Sequence, residues 1–502
     1  MPAISPGQDG FYHPASEEEI TQLILRARSE GLKVRVSGSA HSVAAAIYAG
    51  AFRPGQGGSR DINILLDRMT SVQFDDARMQ VTVQAGCHLG KDPGDPSHSS
   101  TIENSLFYQL DRHGWAFPDT GGIIHQTVAG FLSTGSSGGS VQHSVGDQIV
   151  AIRLVDGAGR IRTLTDAGAR DEFLAAGVSM GLLGVVTAVT FQCVKTFHVI
   201  GQETSRPVSD CGIDLFGPGT AGTRSLEQFL RATEHARLLW WPQRGVRRVK
   251  IWQGRAMQAA DYTDKTGPPN AFRPRPYREF PMILGSNLPA QLAGSAYYCL
   301  IRYWNTPGLL GSITRGLVRL TLAPVIRLFV AIDGLGGPQR FWDSWWRALP
   351  MDNEASDRLM PTWFTEMWFP LDRTVEVMRR LRDHFEGGLP ATGTYACEIY
   401  ATRRSRFWMS PAWDRDVVKI DMFWFGHNAG DPAMTFYPQF WKLLEGFDYR
   451  FHWGKFLRDD SATYLRPRCP NWDNFMRIRA ASDPDQVFVT DYWRKHLGIP
   501  PR

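Results

Sequence analysis

The sequence predicts an α+β protein of two domains, on three observations. Its 502 residues exceed what one ordinary hydrophobic core serves. The first 200 residues or so alternate short helical and strand patterns, and no βαβ unit there carries a Gly-x-Gly-x-x-Gly turn, which argues against a Rossmann fold. From about 200 to 450 the pattern changes to strand-like runs, longer helices and loops rich in Pro and Gly, such as Thr266–Pro276.

Composition narrows the function classes. At 43% hydrophobic and 21% charged residues, the chain is neither disordered nor fibrous. The net charge of +5 is spread thinly, so no nucleic-acid surface is expected. Cys87, Cys193, Cys211, Cys299, Cys397 and Cys469 form no Cys-x-x-Cys pair. Neither a zinc site nor a disulfide framework is therefore expected, no metal ligands are assigned, and a reducing, cytoplasmic compartment fits. Met1–Glu19 has no basic stretch followed by an apolar core, so no signal peptide is read. The 17 tryptophans hint at an aromatic-rich cavity, with core packing the commoner explanation.

The elements follow in order. Ser16 can cap a helix reaching Gly31, with Glu19 placed for a capping box and Ile20, Leu23, Ile24 and Ala27 on one face. Strands are expected at Lys33–Val36, Ile62–Leu66 and Val81–Ala85, then a helix near Leu106–His113. A Gly-rich stretch occupies Gly121–Gly139, and strands follow at Ile149–Val155 and from Val185 through Phe191. Gly308–Ile332 is strongly apolar but is broken by Arg315, Arg319, Pro324 and Arg327, and its charge-free runs are too short to span a bilayer. A helix packed on its own domain is the preferred reading, and a helix lying at a membrane surface is the alternative.

Two loops carry the chemistry. The strand entering Ser37-Gly38-Ser39-Ala40-His41-Ser42 exposes successive backbone N–H groups, an anion-binding concavity suited to a pyrophosphate. The second runs from Thr127-Val128-Ala129-Gly130 to Ser133-Thr134-Gly135-Ser136-Ser137-Gly138-Gly139. Its small side chains let backbone approach a flat cofactor, with hydroxyls to donate. Together they point to a bound dinucleotide.

At this point a family resemblance becomes specific. Arg35 to Ser42, Leu65-Leu66-Asp67-Arg68-Met69, Val83-Gln84-Ala85-Gly86, Gln126 to Gly130, Ser133-Thr134-Gly135 and Gly181 to Val186 occur in the order seen in FAD-linked oxidases of the vanillyl-alcohol-oxidase type. The chain most resembles their aldonolactone and alditol oxidase branch, over roughly residues 10–200 and again over 390–500. The resemblance implies FAD, joined covalently through His41. Cofactor contacts are implied at Ser37, Gly38, Ser39, Ala40, Ser42, Gly121, Gly122, Thr127, Ala129, Gly130, Thr134, Gly135, Ser137, Gly138, Val186 and Lys455. No Cys lies in Gly121–Gly139, so a second, cysteinyl bond is not expected.

Nearer the C-terminus, Glu398-Ile399-Tyr400-Ala401-Thr402 through Phe407-Trp408-Met409-Ser410-Pro411 resembles the family's active-site strand, and His452-Trp453-Gly454-Lys455 its short signature. A lysine ammonium stabilises negative charge developing on a reduced flavin, the role implied for Lys455. The resemblance also implies that Glu398 binds a substrate hydroxyl or takes its proton, with Tyr400 and His452 as further catalytic candidates. Thr127, Tyr400 and Phe423 are the substrate contacts implied. There are departures. Tyr400 stands where sugar-oxidising relatives carry arginine, Phe423 where they carry a hydroxyl, and Ser137 where a loop histidine is common. These make the pocket more aromatic, and Trp342, Trp345, Trp346, Trp363 and Trp368 are candidates to line it.

The fold so implied is an FAD-binding domain of the PCMH type over 1–200, a substrate (cap) domain on an antiparallel sheet over 201–452 with an insertion near 250–360, and a returning segment over 453–502. The implied reaction is hydride transfer from a carbinol or lactol carbon to FAD, with O2 or another acceptor taking the electrons. Gln126 and Thr127 are positions that would govern oxygen access. An apolar or aromatic alcohol is the alternative substrate. A flavin-binding or membrane-surface module without turnover is the alternative of another class.

Overall fold

A computed structural model describes residues 4–56, 59–243, 246–263, 272–304, 306–329, 337–387 and 396–502. Most of the Thr266–Pro276 loop and the end of Gly308–Ile332 lie outside them.

The opening helix, Glu17–Glu30, buries Ile20, Leu23, Ile24 and Ala27 and stops at Gly31 in the left-handed region. Ser16 Oγ accepts the Glu19 N–H at 3.3 Å, but the Glu19 carboxylate reaches past Ser16 to the N–H of Ala15. Only half of the expected capping box therefore forms. Val34–Ser37 and Ile62–Leu65 pair in parallel. Gln80–Gln84, Val185–Gln192 and Ile149–Val155 become the middle strands of a five-stranded antiparallel sheet, edged by Val72–Asp75 and Ile161–Thr165. Arg35 is buried between this region and the C-terminus. Its guanidinium donates to the carbonyls of Ala46 and Met180 and lies over the Trp493 ring, whose N–H also reaches Ala46. Those carbonyls are what make a buried, unpaired arginine tolerable.

The second sheet positions the site. Its eight antiparallel strands run in the spatial order Gln339–Ser344, His198–Pro207, Arg248–Ala256, His235–Trp241, Cys397–Thr402, Val417–Phe425, Thr362–Pro370 and Arg450–Phe451. Four central strands fall in one register. Leu239 faces Glu398, Glu398 faces Asp421, and Asp421 faces Glu366. One step along, Arg237, Tyr400, Lys419 and Trp368 form the next row. Alternation sends both rows to the same face. A continuous apolar core joins this sheet to the first one.

A smaller core lies under the helices Leu288–Leu300 and Leu309–Phe329. On the longer helix, Thr314, Val318, Leu322 and Ile326 turn inward. Leu310, Ile313, Leu317 and Leu320 face out, Leu320 with 80% of its surface exposed. Thus the segment is packed on its own domain and also apolar on its outer side. Leu309–Ile326 is the single described stretch long and apolar enough to cross a membrane by length and composition.

Candidate active site

The Ser37–Ser42 loop is held in place by small residues. A side chain on Gly38 would come within 2.4 Å of Thr127 Oγ1, and one on Gly86 within 1.9 Å of the Leu66 carbonyl. These close approaches bring the loop beside the helix Val128–Ser133, which Thr127 caps through the Gly130 N–H. Ala40 adopts a left-handed backbone with φ of 57°, and Ser39 Oγ donates to the His125 carbonyl at 2.6 Å. A trough results, lined by Ser37, Gly38, Ser39, Ala40, His41, Ser42, Thr127, Ala129, Gly130, Thr134 and Val186.

A second cavity of about 290 Å³ opens over the exposed face of the eight-stranded sheet, and His41, Ser42, Gln126 and Thr134 line both spaces. Gly121, Gly122, Ser137, Glu398, Tyr400, Phe423, His452 and Lys455 line this second one. Two residues the sequence points to lie in neither. Gly135 packs on Val178 and Pro411, and Gly138 sits against the Thr120 carbonyl and the Asp119 carboxylate, where any side chain would collide. Thr127, suggested as a substrate contact, faces only the trough.

The ends of the chain meet at His41. Lys455 Nζ donates to the His41 carbonyl at 3.0 Å, and the Val43 N–H donates to the Gly454 carbonyl. Burial, with help from Lys455, depresses the His41 imidazole to a pKa of about 4 despite Asp357 nearby. Its Nε2 is buried without a hydrogen-bond partner among the described residues, an orphaned nitrogen on the wall shared by the two spaces. A nitrogen left bare in that position fits a covalent partner; the small-residue trough on one side and the larger cavity on the other fit a dinucleotide whose ring end emerges there. The residues present therefore suit FAD. His452 Nδ1 accepts the Gly454 N–H, and burial holds the ring well below its ordinary pKa, so it is neutral. Burial also lowers Lys455, with Glu366 the largest influence opposing that shift.

Sequence reasoning missed the sheet's own charges. Glu398 is fixed by Arg237, whose guanidinium donates to Glu398 Oε1 at 3.1 Å and also engages Asp352. Asp421 and Glu366 complete a row of three carboxyls on adjacent strands. Burial, then Glu366 and Glu398, push the Asp421 carboxyl well above its ordinary pKa. Neither Asp421 oxygen receives a donor among the described residues, as expected of an acid that keeps its own proton beside Glu398. Lys419 stands opposite Tyr400, its ammonium 3.7 Å from that ring's centre, 3.7 Å from Glu366, and within 3.2 Å of Ser137 Oγ. A cation thus reaches Tyr400 from the neighbouring strand. A signal existed: Lys419 and Asp421 keep period two within Val417–Phe425, a strand otherwise apolar enough to be buried on both faces.

The far wall is apolar: Phe364, Phe423, Trp241, Phe280, Tyr298 and Met360. None of Trp342, Trp345, Trp346, Trp363 and Trp368 lines it. Trp345 packs on Phe107, Trp368 lies under the Lys419 ammonium, and Trp363 is half exposed.

This architecture has known counterparts. Residues 9–91 and 100–165 match the FAD binding domain, and residues 350–496 match D-arabinono-1,4-lactone oxidase. L-Gulonolactone oxidase of Mus musculus is 24% identical over 97% of this chain and 94% of its own. L-Gulono-1,4-lactone dehydrogenase of Mycobacterium tuberculosis is also 24% identical, over 97% and 95%. In fold, the chain is similar to cholesterol oxidase from Brevibacterium sterolicum, at a TM-score of 0.68 and 14% identity over 97% of this chain and 94% of that one. A solvent-stable cholesterol oxidase gives 0.70, at 14% identity over 99% and 97%. Fold and site thus define an FAD-dependent oxidoreductase of the PCMH type. Within that class the chain's matches lie in the aldonolactone oxidase branch of the FAD-linked oxidases.

Proposed function

We propose that this protein oxidises a ring C–OH of an aldono-1,4-lactone, on FAD tethered to His41. The observation that supports this best is the carboxyl row: Glu398, pinned by Arg237 and flanked by protonated Asp421, at the floor of the cavity that His41, His452 and Lys455 border. FAD, when bound, supplies the acceptor for a hydride.

The chain's own residues supply the rest. Glu398 Oε1 is occupied by Arg237, and the carboxylate accepts the substrate hydroxyl and draws off its proton as the C–H bond breaks. Asp421, its carboxyl pushed well above the ordinary pKa by burial, sits beside Glu398 without adding a second full charge there. Lys455, anchored on the His41 carbonyl, places positive charge where His41 borders the cavity. Lys419 and Tyr400 offer donors for further hydroxyls or the lactone carbonyl. Names of relatives such as L-gulonolactone oxidase and D-arabinono-1,4-lactone oxidase agree with such a substrate.

The aromatic wall favours a second reading, a lactol or secondary alcohol carrying an apolar arm, polar end on the acids and arm against Phe364, Phe423 and Trp241. Anaerobic mixing with L-gulono- and D-arabinono-1,4-lactones, and with cyclic alcohols bearing alkyl or aryl arms, separates the two. Bleaching of the flavin by lactones but not by the armed alcohols supports the first. The reverse order supports the second. No bleaching by either class removes both. Admitting O2 afterwards, and separately a quinone, shows which acceptor serves.

We also infer that the outward leucines of Leu309–Phe329, continued by Leu288, Leu292 and Leu300 on its partner helix, rest on a lipid surface, with exposed Arg302 and Arg319 meeting anionic headgroups. Flotation with anionic phospholipid vesicles should carry the wild type and lose a variant with Leu310, Ile313, Leu317 and Leu320 changed to Ser. Equal flotation of both contradicts the inference.

A further inference from the structure

Away from the flavin loop, two histidines and a glutamate converge. His143 Nε2 lies 3.1 Å from Glu234 Oε1, and His235 Nε2 lies 3.8 Å from the same oxygen. The three ligand atoms fall within 4.8 Å of one another. The two imidazoles stack, with centroids 5.5 Å apart. We propose that this cluster is a divalent transition-metal site, of the class that takes Zn²⁺, and that the ion clamps the loop after the Gly-rich stretch to the strand carrying Arg237.

The hydrogen-bond inventory supports an ion over a plain polar contact. Glu234 Oε2 already accepts the Ala256 N–H, while Oε1, hydrogen-bonded to His143 Nε2, faces the cluster. His235 is 1% exposed and its Nδ1 faces the buried Asp119 carboxylate at 3.5 Å. With a proton on Nδ1, toward Asp119, Nε2 presents a lone pair. That buried Nε2 has no hydrogen-bond partner among the described residues and points at Glu234 Oε1. A cation held between the two atoms would satisfy both. A carboxylate behind a histidine whose far nitrogen is bare is the usual second layer of a zinc ligand. Tetrahedral bonds of 2.0–2.1 Å set ligand atoms roughly 3.3 Å apart, between the two separations found. The remaining position is open to water, because His143 and Glu234 keep 34% and 24% of their side-chain surface exposed.

The ion would reinforce a junction already made by one backbone hydrogen bond, from the Ala236 N–H to the Gly139 carbonyl. His143 sits on a turn whose N–H groups at 142 and 143 bond Ser140 Oγ, just past the loop that includes Ser137. Glu234 and His235 open the strand on which Arg237 follows two residues later. The ligands are outside the carboxyl row, so the role is structural, setting how the two halves of the cavity meet. Cysteine spacing carried no trace of it, because its ligands are a histidine and a Glu-His pair far apart in sequence.

The test uses flavin-loaded, tag-free protein, stripped with chelator and dialysed against micromolar Zn²⁺. Wild type should retain one zinc per chain and melt at a higher temperature with zinc than without. His143→Gln and Glu234→Gln should lose the zinc and the thermal gain while keeping the flavin spectrum, which reports that they fold. Asp119→Asn should weaken binding by ~10- to 100-fold. Zinc that is absent from wild type at these concentrations, or retained equally by both ligand variants, overturns the proposal.

Discussion

Glu398 and Asp421 face each other in register on adjacent antiparallel strands, both buried, with Arg237 on the far side of Glu398 and Glu366 on the far side of Asp421. Two ionised carboxylates so placed in a low-dielectric cavity would repel strongly. Burial and its two acidic neighbours push the Asp421 carboxyl up, toward keeping its proton, and Glu398, held by Arg237, is left to receive the substrate hydroxyl.

The two acids should therefore respond differently to amide substitution. Glu398→Gln removes the acceptor and should lower kcat by ~10²–10⁴-fold with the flavin spectrum intact. Asp421→Asn keeps a donor toward Glu398 and should hold kcat within about tenfold. Steady-state and anaerobic half-reaction rates check this. Equal losses in both variants would assign proton transfer to Asp421 as well.

Lys419 balances Glu366 across the same sheet, at 3.7 Å. Lys419→Met leaves a buried carboxyl without its cation, and breaking such a pair costs about 3–5 kcal/mol. Burial already raises the Glu366 pKa, and losing Lys419 raises it further. A carboxyl whose folded pKa lies above its unfolded value holds its proton more tightly when folded, so stability falls as pH rises through that interval. The variant's melting temperature should accordingly recover toward pH 5, and adding Glu366→Gln should restore it at neutral pH. Thermal melts across pH test both statements.

Acid stability should be limited by buried neutral histidines. Burial depresses His496 to a pKa of about 4 while Ser461 Oγ bonds its Nδ1 at 2.7 Å. Below about 6.5 the unfolded ring takes a proton that the folded ring refuses. Its stabilisation is full above that value and is lost as pH falls through 4. His496→Asn, which keeps a group near Nδ1 and cannot titrate, should flatten the fall in melting temperature between pH 6.5 and 4. An unchanged slope would assign acid lability elsewhere, His452 being next.

Much of the FAD side was legible because its signals are local. Ser16, the apolar face through Ala27 and Gly31 define the first helix, and small residues around His41 announce a loop close to other backbone. The cavity floor was less legible. Asp421, Glu366 and Arg237 acquire meaning only from strand register, which joins residues 237, 366, 398 and 421 in no order a chain reading supplies. Core packing, the commoner explanation for the tryptophans, is what took Trp345 and Trp368, while Trp241, on the strand with Arg237, reached the cavity. For Leu309–Phe329 the apolar run made both a packed helix and a membrane-surface helix legible, but which leucines turn outward came only from the packing of its inner face.

The most direct test is the absorption spectrum of purified protein before and after acid precipitation, for wild type and His41→Ala. Yellow colour staying with the wild-type pellet and moving to the supernatant in the variant is the result the orphaned His41 Nε2 predicts. Flavin released equally from both would contradict attachment at His41.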